Sequence, residues 1–288
     1  MKRPLEIKAE EASMRTIVSL TSAFESLSSM SITQTKSKVL ISNEFFDEVW
    51  NIYRQIRMDV MFNFGRSVDE KPIEKELMIL ITAPGGLTGD IDQRLIKKFR
   101  EHYDADKNDI IVIGHHGALQ LDQLKIHYNL YFEMPKKDYI NVDPLMKEIK
   151  KYAKSRVFYQ NYISLTQQEI KELDLSEVVS SMGKIADLDT LDADKISEKT
   201  YIFEPDSYSV VMHLETSILR LTLTQFIYDS RLAQVASRFR AMTAAKQRSV
   251  ETAADLHTQF SRAKRALVDV RLKESLAGLK KIRAGGND

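Results

Sequence analysis

Residues 206–277 read DSYSVVMHLETSILRLTLTQFIYDSRLAQVASRFRAMTAAKQRSVETAADLHTQFSRAKRALVDVRLKESLA, seventy-two positions without glycine or proline. Those two residue types are the strongest helix interrupters, so their absence over this length predicts one very long helix. A period supports it. Leu232, Val235, Phe239, Met242, Lys246, Ser249, Ala253, Leu256, Phe260, Ala263, Leu267 and Val270 step by three and four, and all but Lys246 and Ser249 are apolar. That is a heptad seam. A helix from about Ser207 to Ile282 would be on the order of 110 Å long at 1.5 Å per residue. Isolated helices are marginal in water, so it needs a partner along its length.

The partner is expected at the other end of the chain. After Pro4 neither glycine nor proline occurs until Gly65, and twelve of the sixteen such residues fall between Gly65 and Pro205. Pro4 suits a first helical turn, where its missing N–H is unpaired anyway. Met14, Ile17, Leu20, Phe24, Leu27 and Met30 step by three or four and are the expected seam of this first helix. Ten serines and threonines lie between Thr16 and Thr35. Hydroxyl residues are mediocre helix formers, so the helix should depend on packing; a polar linker is the alternative.

The punctuated centre alternates strand signals (Leu77–Thr82, Ile110–Ile113, Leu130–Glu133, Val157–Ser164) with helical ones (Asp90–His102, Ala118–His127, Asp143–Lys154). Such alternation predicts a small, Rossmann-like α/β domain with a mostly parallel sheet. Tyr201–Phe203 reads as a further short strand and Gly183–Lys199 as an acidic loop. The expected fold is thus mixed α/β and α+β: a long antiparallel coiled coil of the terminal helices flanking this domain. The expected divisions are 1–64, 65–205 and 206–288.

Composition excludes more than it assigns. The 288 residues carry a net charge of +1 and no cysteine, which rules out disulfides, thiolate metal sites and cysteine nucleophiles. No apolar run approaches the roughly 20 residues that cross a bilayer, and Met1–Glu11 lacks a signal peptide's apolar centre, so an intracellular chain without direct membrane insertion is expected. Pro84-Gly85-Gly86-Leu87-Thr88-Gly89 sits between strand and helix, where dinucleotide folds hold phosphate. The spacing fails that fingerprint, no P-loop lysine follows, and Asp90 and Asp92 would repel phosphate. It reads as a tight turn. His115-His116 lacks partners at metal-ligand spacing, and the aspartates between Asp187 and Asp194 lack the EF-hand pattern. No catalytic constellation and no cofactor or metal site is expected. From Arg231 onward thirteen basic and five acidic residues give +8, a sign that suits an acidic protein surface or nucleic acid.

Order and motifs together resemble the gamma subunits of rotary F-type ATP synthases, over nearly the whole chain. Leu20-Thr21-Ser22-Ala23-Phe24-Glu25-Ser26-Leu27-Ser28-Ser29-Met30 is similar to that family's first-helix pattern. Gly86-Leu87-Thr88-Gly89 is similar to its Gly-Leu-Cys-Gly turn, with Thr for Cys and with Pro84 in place of an Asp. Tyr201-Ile202-Phe203-Glu204-Pro205, Ala241-Met242-Thr243-Ala244-Ala245 and Ser261-Arg262-Ala263-Lys264-Arg265 resemble later stretches. Ser22 for a usual Lys and Val270 for a usual Gln mark a divergent member.

The resemblance implies a central-stalk rotor without chemistry of its own, on the cytoplasmic face of the membrane. Its implied partners are the alpha and beta subunits of the catalytic hexamer, the epsilon subunit and the c-subunit ring, and no nucleic acid. It also suggests contact residues. Phe24, Leu27 and Met30 are apolar contacts or seam positions. Arg238, Arg240, Lys246 and Arg248 would meet an acidic loop of beta. Val270, Leu272, Leu276 and Leu279 would form an apolar tip in a bearing. A coiled-coil adaptor protein and a small-molecule-binding α/β protein are the alternatives.

Overall fold

The structure is a computed structural model and describes residues 3–56, 72–135, 140–175, 204 and 206–284. The strand expected at Tyr201–Phe203, the acidic loop Gly183–Lys199 and the boundary near Gly65 lie outside these residues. In chain order the elements are α1 (Pro4–Ile56), β1 (Ile73–Ile81), α2 (Ile91–Arg100), β2 (Asn108–Ile113), α3 (His115–Gln123), β3 (Leu130–Phe132), α4 (Asp143–Ile149), β4 (Tyr152–Tyr162), β5 (Gln168–Asp174) and α5 (Ser207–Ala284). Pro4 lies in the first turn of α1, and α5 starts at Ser207, two residues after Pro205, and runs through Gly278 to Ala284.

Two compact units emerge, Met1–Leu27 with Arg240–Asp288, and Ser28–Phe239. In the first, α1 and α5 run antiparallel: Glu25 pairs with Lys246, and Glu11, earlier in α1, pairs with His257, later in α5.

The second unit is built on a five-stranded sheet of order β3-β2-β1-β4-β5. Strands β1 to β4 are parallel and β5 runs antiparallel at the edge. The side-chain period of two splits β1 between its faces. Leu77, Ile79 and Ile81 pack with α4 and with Leu219, Leu223, Phe226 and Ile227 of α5. Met78 and Leu80 pack with Ile91, Leu95 and Phe99 of α2 and Leu121 of α3. A buried central strand covered on both faces has to be apolar throughout, as LMILI at 77–81 is. A third cluster joins Phe46, Trp50 and Tyr53 of α1 to Ile218 of α5.

Three details differ from the sequence expectation. Helix α4 ends at Ile149 and the chain is already extended at Tyr152, which pairs with Ile73. Helix α3 begins at His115 and stops before Lys125, whose φ of 57° cannot continue a helix. Strand β5, QEIKELD, gave no apolar run, because an edge strand needs only one half-buried face.

Candidate functional site

The α1 seam is not the apolar row read from the sequence. Ile7, Glu11, Thr21, Ser28 and Thr35 are buried, with Met14, Val18, Glu25 and Ile32 half-buried. Their spacing, 7-11-14-18-21-25-28-32-35, is a strict alternation of four and three. Of the expected seam only Met14 lies on this face. Ile17, Leu20, Phe24, Leu27 and Met30 face outward; Phe24 is 39% exposed, Leu27 59% and Met30 62%. The physical reason is that the inward polar groups have specific partners. Glu25 accepts hydrogen bonds from Lys246 Nζ at 2.8 Å and Thr243 Oγ1 at 2.7 Å, which hold its carboxyl below the usual range. Glu11 accepts from Arg15 at 2.7 Å, with His257 at 3.3 Å, and is lowered likewise, chiefly by Arg15. The hydroxyl residues are accommodated locally. Ser13, Thr16, Ser19, Thr21, Ser26 and Thr33 each donate to the carbonyl four residues earlier.

The α5 seam follows the expectation for part of its length. Met242 and Ser249 are buried, and Lys246, Ala253, Leu256, Phe260 and Ala263 half-buried. From Lys264 to Leu279 every residue is exposed, beyond the stretch of α5 that pairs with α1. Val270, Leu272, Leu276 and Leu279 stand in that uncovered segment. The four cations named from the sequence do not share a face. At about 100° per residue, Arg240 points roughly 160° from Arg238, with Arg248 about 80° from Arg238 on that side and Lys246 about 80° on the other. Lys246 is committed to Glu25 and Arg238 is half-buried, while Arg240 and Arg248 are exposed.

In the second unit the polar side chains gather at the C-terminal edge of the sheet. There β1 lies between β2 on one side and β4 on the other, the switch point where open α/β sheets place ligands. Here the chain's own helix occupies the place. Gln160 of β4 donates through Nε2 to Asp92 Oδ1 at 2.8 Å and accepts from Gln234 of α5 at 3.2 Å. Its backbone N–H donates to Ser230 Oγ at 3.2 Å, and Ser237 Oγ donates to the Thr88 carbonyl at 2.7 Å. All of these residues are buried. Asp92 also receives His116 Nδ1 at 2.7 Å and the Ala83 N–H at 3.3 Å. Thr82 Oγ1 donates to the Ile113 carbonyl and accepts from the Gly117 N–H. Ser230, Gln234 and Ser237 lie at i, i+4 and i+7 on one face of α5; the first two hold Gln160 of β4, and Ser237 holds the turn Pro84–Gly89 through the Thr88 carbonyl. Sequence reading passed over that face, because a buried polar stripe within a long amphipathic helix resembles a solvated one.

A family model described as ATP synthase matches residues 5–280. The ATP synthase gamma chain of Clostridium novyi is 23% identical, with 95% of this chain and 96% of that one covered. The gamma chain of Enterococcus hirae is 25% identical at the same coverages. Among solved structures, a chain of the Euglena gracilis mitochondrial ATP synthase (OSCP/F1/c-ring) superposes with a TM-score of 0.60 at 12% identity, covering 96% of this chain and 97% of that one. A chain of the Tetrahymena thermophila central stalk and c-ring gives 0.55 at 13%, covering 78% and 99%. With its matched span running from the first turns of α1 to the last turns of α5, the chain belongs to the ATP synthase gamma-chain family.

Proposed function

We propose that the chain is the central-stalk rotor of an F-type ATP synthase, coupling ion-driven rotation to conformational cycling of the catalytic beta subunits. The observation that carries this reading is the inverted helix pair: α1 turns polar residues inward and an apolar row outward, and α5 continues uncovered beyond Ala263. Such a pair is held in register by its ion pairs while its outer surface stays available to surrounding subunits. The faces differ around the axis, so rotation presents each beta subunit with a different surface and biases its conformational equilibrium. Residues 1–64 and 206–288 form the shaft and 65–205 the central domain, which sits with the epsilon subunit and the c-subunit ring on the cytoplasmic face. Phe24, Leu27 and Met30 contact the hexamer, Arg240 and Arg248 face the acidic loop of beta, and Val270, Leu272, Leu276 and Leu279 turn in the bearing. The subunit does no chemistry: its sheet-edge crevice is filled by α5, and Asp92 lies where an anion would bind.

The test is co-purification and reconstitution. Tagged chain should bring down alpha and beta at three each per copy, and the reassembled complex should pump ions on ATP hydrolysis. Recovery without those subunits, or micromolar ATP binding by the pure chain in calorimetry, would refute the reading.

A further inference from the structure

We infer that copies of this chain outside an assembly pair through the outer face of α1, two such helices lying antiparallel about a twofold axis at Thr16. This goes beyond the rotor reading and does not rest on it.

Helix α1 carries a second seam besides the one that packs on α5. Leu5, Ala9, Ala12, Thr16, Leu20, Ala23 and Leu27 also step by four and three. At about 100° per residue this row lies about 180° from the inner seam. All seven residues are exposed, Leu5 by 80% and Leu20 by 55%, and none is charged. Its six steps span twenty-two residues, close to the period of a straight helix, so the row stays on one side throughout.

The row is also a palindrome. Its steps read 4-3-4-4-3-4 from either end. A second copy turned end for end about Thr16 therefore sets Leu5 against Leu27, Ala9 against Ala23, Ala12 against Leu20, and Thr16 against itself. Leucine meets alanine at the Ala12–Leu20 level, and the alanines at the next level let the backbones approach. An isologous contact requires this self-complementarity, because each pairing is made twice. Thr16 suits the centre: its hydroxyl already donates to the Ala12 carbonyl at 3.1 Å. Charge selects the same orientation. Glu6, Lys8, Glu10, Glu11 and Arg15 precede Thr16, whereas from Thr16 to Leu27 the one charged residue is Glu25, which is turned to Lys246. The antiparallel register lays the charged half beside the uncharged half, while a parallel one sets like charges level with each other. Each α5 packs on the inner face of its own α1 and stays clear of the pair. Seven residues a side are far fewer than the roughly 20–30 of a standard interface, so dissociation is expected on the order of tens of micromolar.

The chain has no cysteine, so introduced cysteines report the register. Full-length Thr16→Cys should oxidise to a disulfide dimer. Ala12→Cys alone should not, because its two copies lie about 12 Å apart along the axis at 1.5 Å per residue; mixed with Leu20→Cys it should. Sedimentation equilibrium of the unmodified chain should show monomer and dimer, and Leu20→Glu with Leu27→Glu should weaken the dimer at least tenfold while circular dichroism stays unchanged. A monomer at every concentration, self-crosslinking of Ala12→Cys as fast as that of Thr16→Cys, or a dimer that the glutamates leave intact would overturn the pairing. Should the glutamates disturb the fold, the cysteine pairs decide.

Discussion

Gly114→Ala should be among the most damaging single-methyl additions this chain can receive. Gly114 follows β2 with a φ of 100°, a region that L side chains rarely adopt. A Cβ built there lies 2.1 Å from the Thr82 carbonyl oxygen and 2.9 Å from that of Ala83. Non-bonded heavy atoms settle near about 3.5 Å, so β1 and the turn after β2 would have to part by more than an ångström. That movement strains three hydrogen bonds: Thr82 N–H to Ile113 at 2.7 Å, Thr82 Oγ1 to the same carbonyl at 2.9 Å, and Gly117 N–H to Thr82 Oγ1 at 3.0 Å. Losing two at about 1 kcal/mol each and adding about 1–2 kcal/mol of left-handed strain gives about 3–4 kcal/mol. This is a large share of the roughly 5–15 kcal/mol that holds a domain folded. Gly85→Ala, in the turn clasped by α5, is the control: its Cβ would meet nothing within 4 Å. It should be neutral or stabilise by about 0.4–1 kcal/mol through the unfolded chain. Urea unfolding of both variants beside the unmodified chain measures the contrast. A loss under about 1 kcal/mol for Gly114→Ala would mean that the close approach of Gly114 to β1 is wrong.

Burial raises the Asp229 carboxyl to about 6, against the opposing charge of Lys171. A raised carboxyl costs stability as pH climbs from about 4 through 6, so Asp229→Asn should stabilise by about 1–3 kcal/mol at pH 8 and by little at pH 4; equal gains in thermal unfolding at both values would contradict this. Ending the chain after Lys264 removes, among the residues whose side chains are described, only exposed ones, so stability in urea should change by about 0.5 kcal/mol or less, while ATP-driven pumping by the reconstituted complex should fall. Arg240→Ala with Arg248→Ala should leave folding intact and lower ions pumped per ATP, most visibly at low salt where surface charge is least screened; equal pumping across a salt series would make both merely solvated. Lys246→Met removes the partner of Glu25 within the seam, and its main effect should be a lower melting temperature.

Two physical asymmetries decided what could be read from the sequence. The long helices were legible because glycine and proline act locally, and their absence constrains each residue in turn. The α5 seam was legible through Ala263 because there the apolar row is also the buried row. In α1 the rows separate. Hydrophobic periodicity reports an apolar face without saying what covers it, and Ile17, Leu20, Phe24 and Leu27 formed the more apolar of two faces. The true seam contained Glu11 and Glu25; Glu25 is answered by Lys246, and Glu11 by His257 as well as by nearby Arg15, the two distant partners lying more than two hundred residues away. The cluster at the sheet edge was hidden for the same reason. Asp92, His116, Gln160 and Gln234 are scattered polar residues until the topology brings them together. His116 was singled out as half of a pair with His115, whereas its partner is Asp92.

The inverted arrangement of α1 bears on how the chain must be made. A helix that turns glutamates inward and leucines outward does not hide its adhesive surface by folding. A newly synthesised copy therefore exposes Leu20, Phe24, Leu27 and Met30, and the uncovered end of α5 from Leu267 to Leu279, for as long as it stays alone. Contiguous apolar rows of this kind are what holdases and proteases recognise. Copies made in excess of their partners should self-associate or be degraded, and the cell must match their supply to that of the surrounding subunits. The surface that makes the chain useful in an assembly makes it a liability as an orphan.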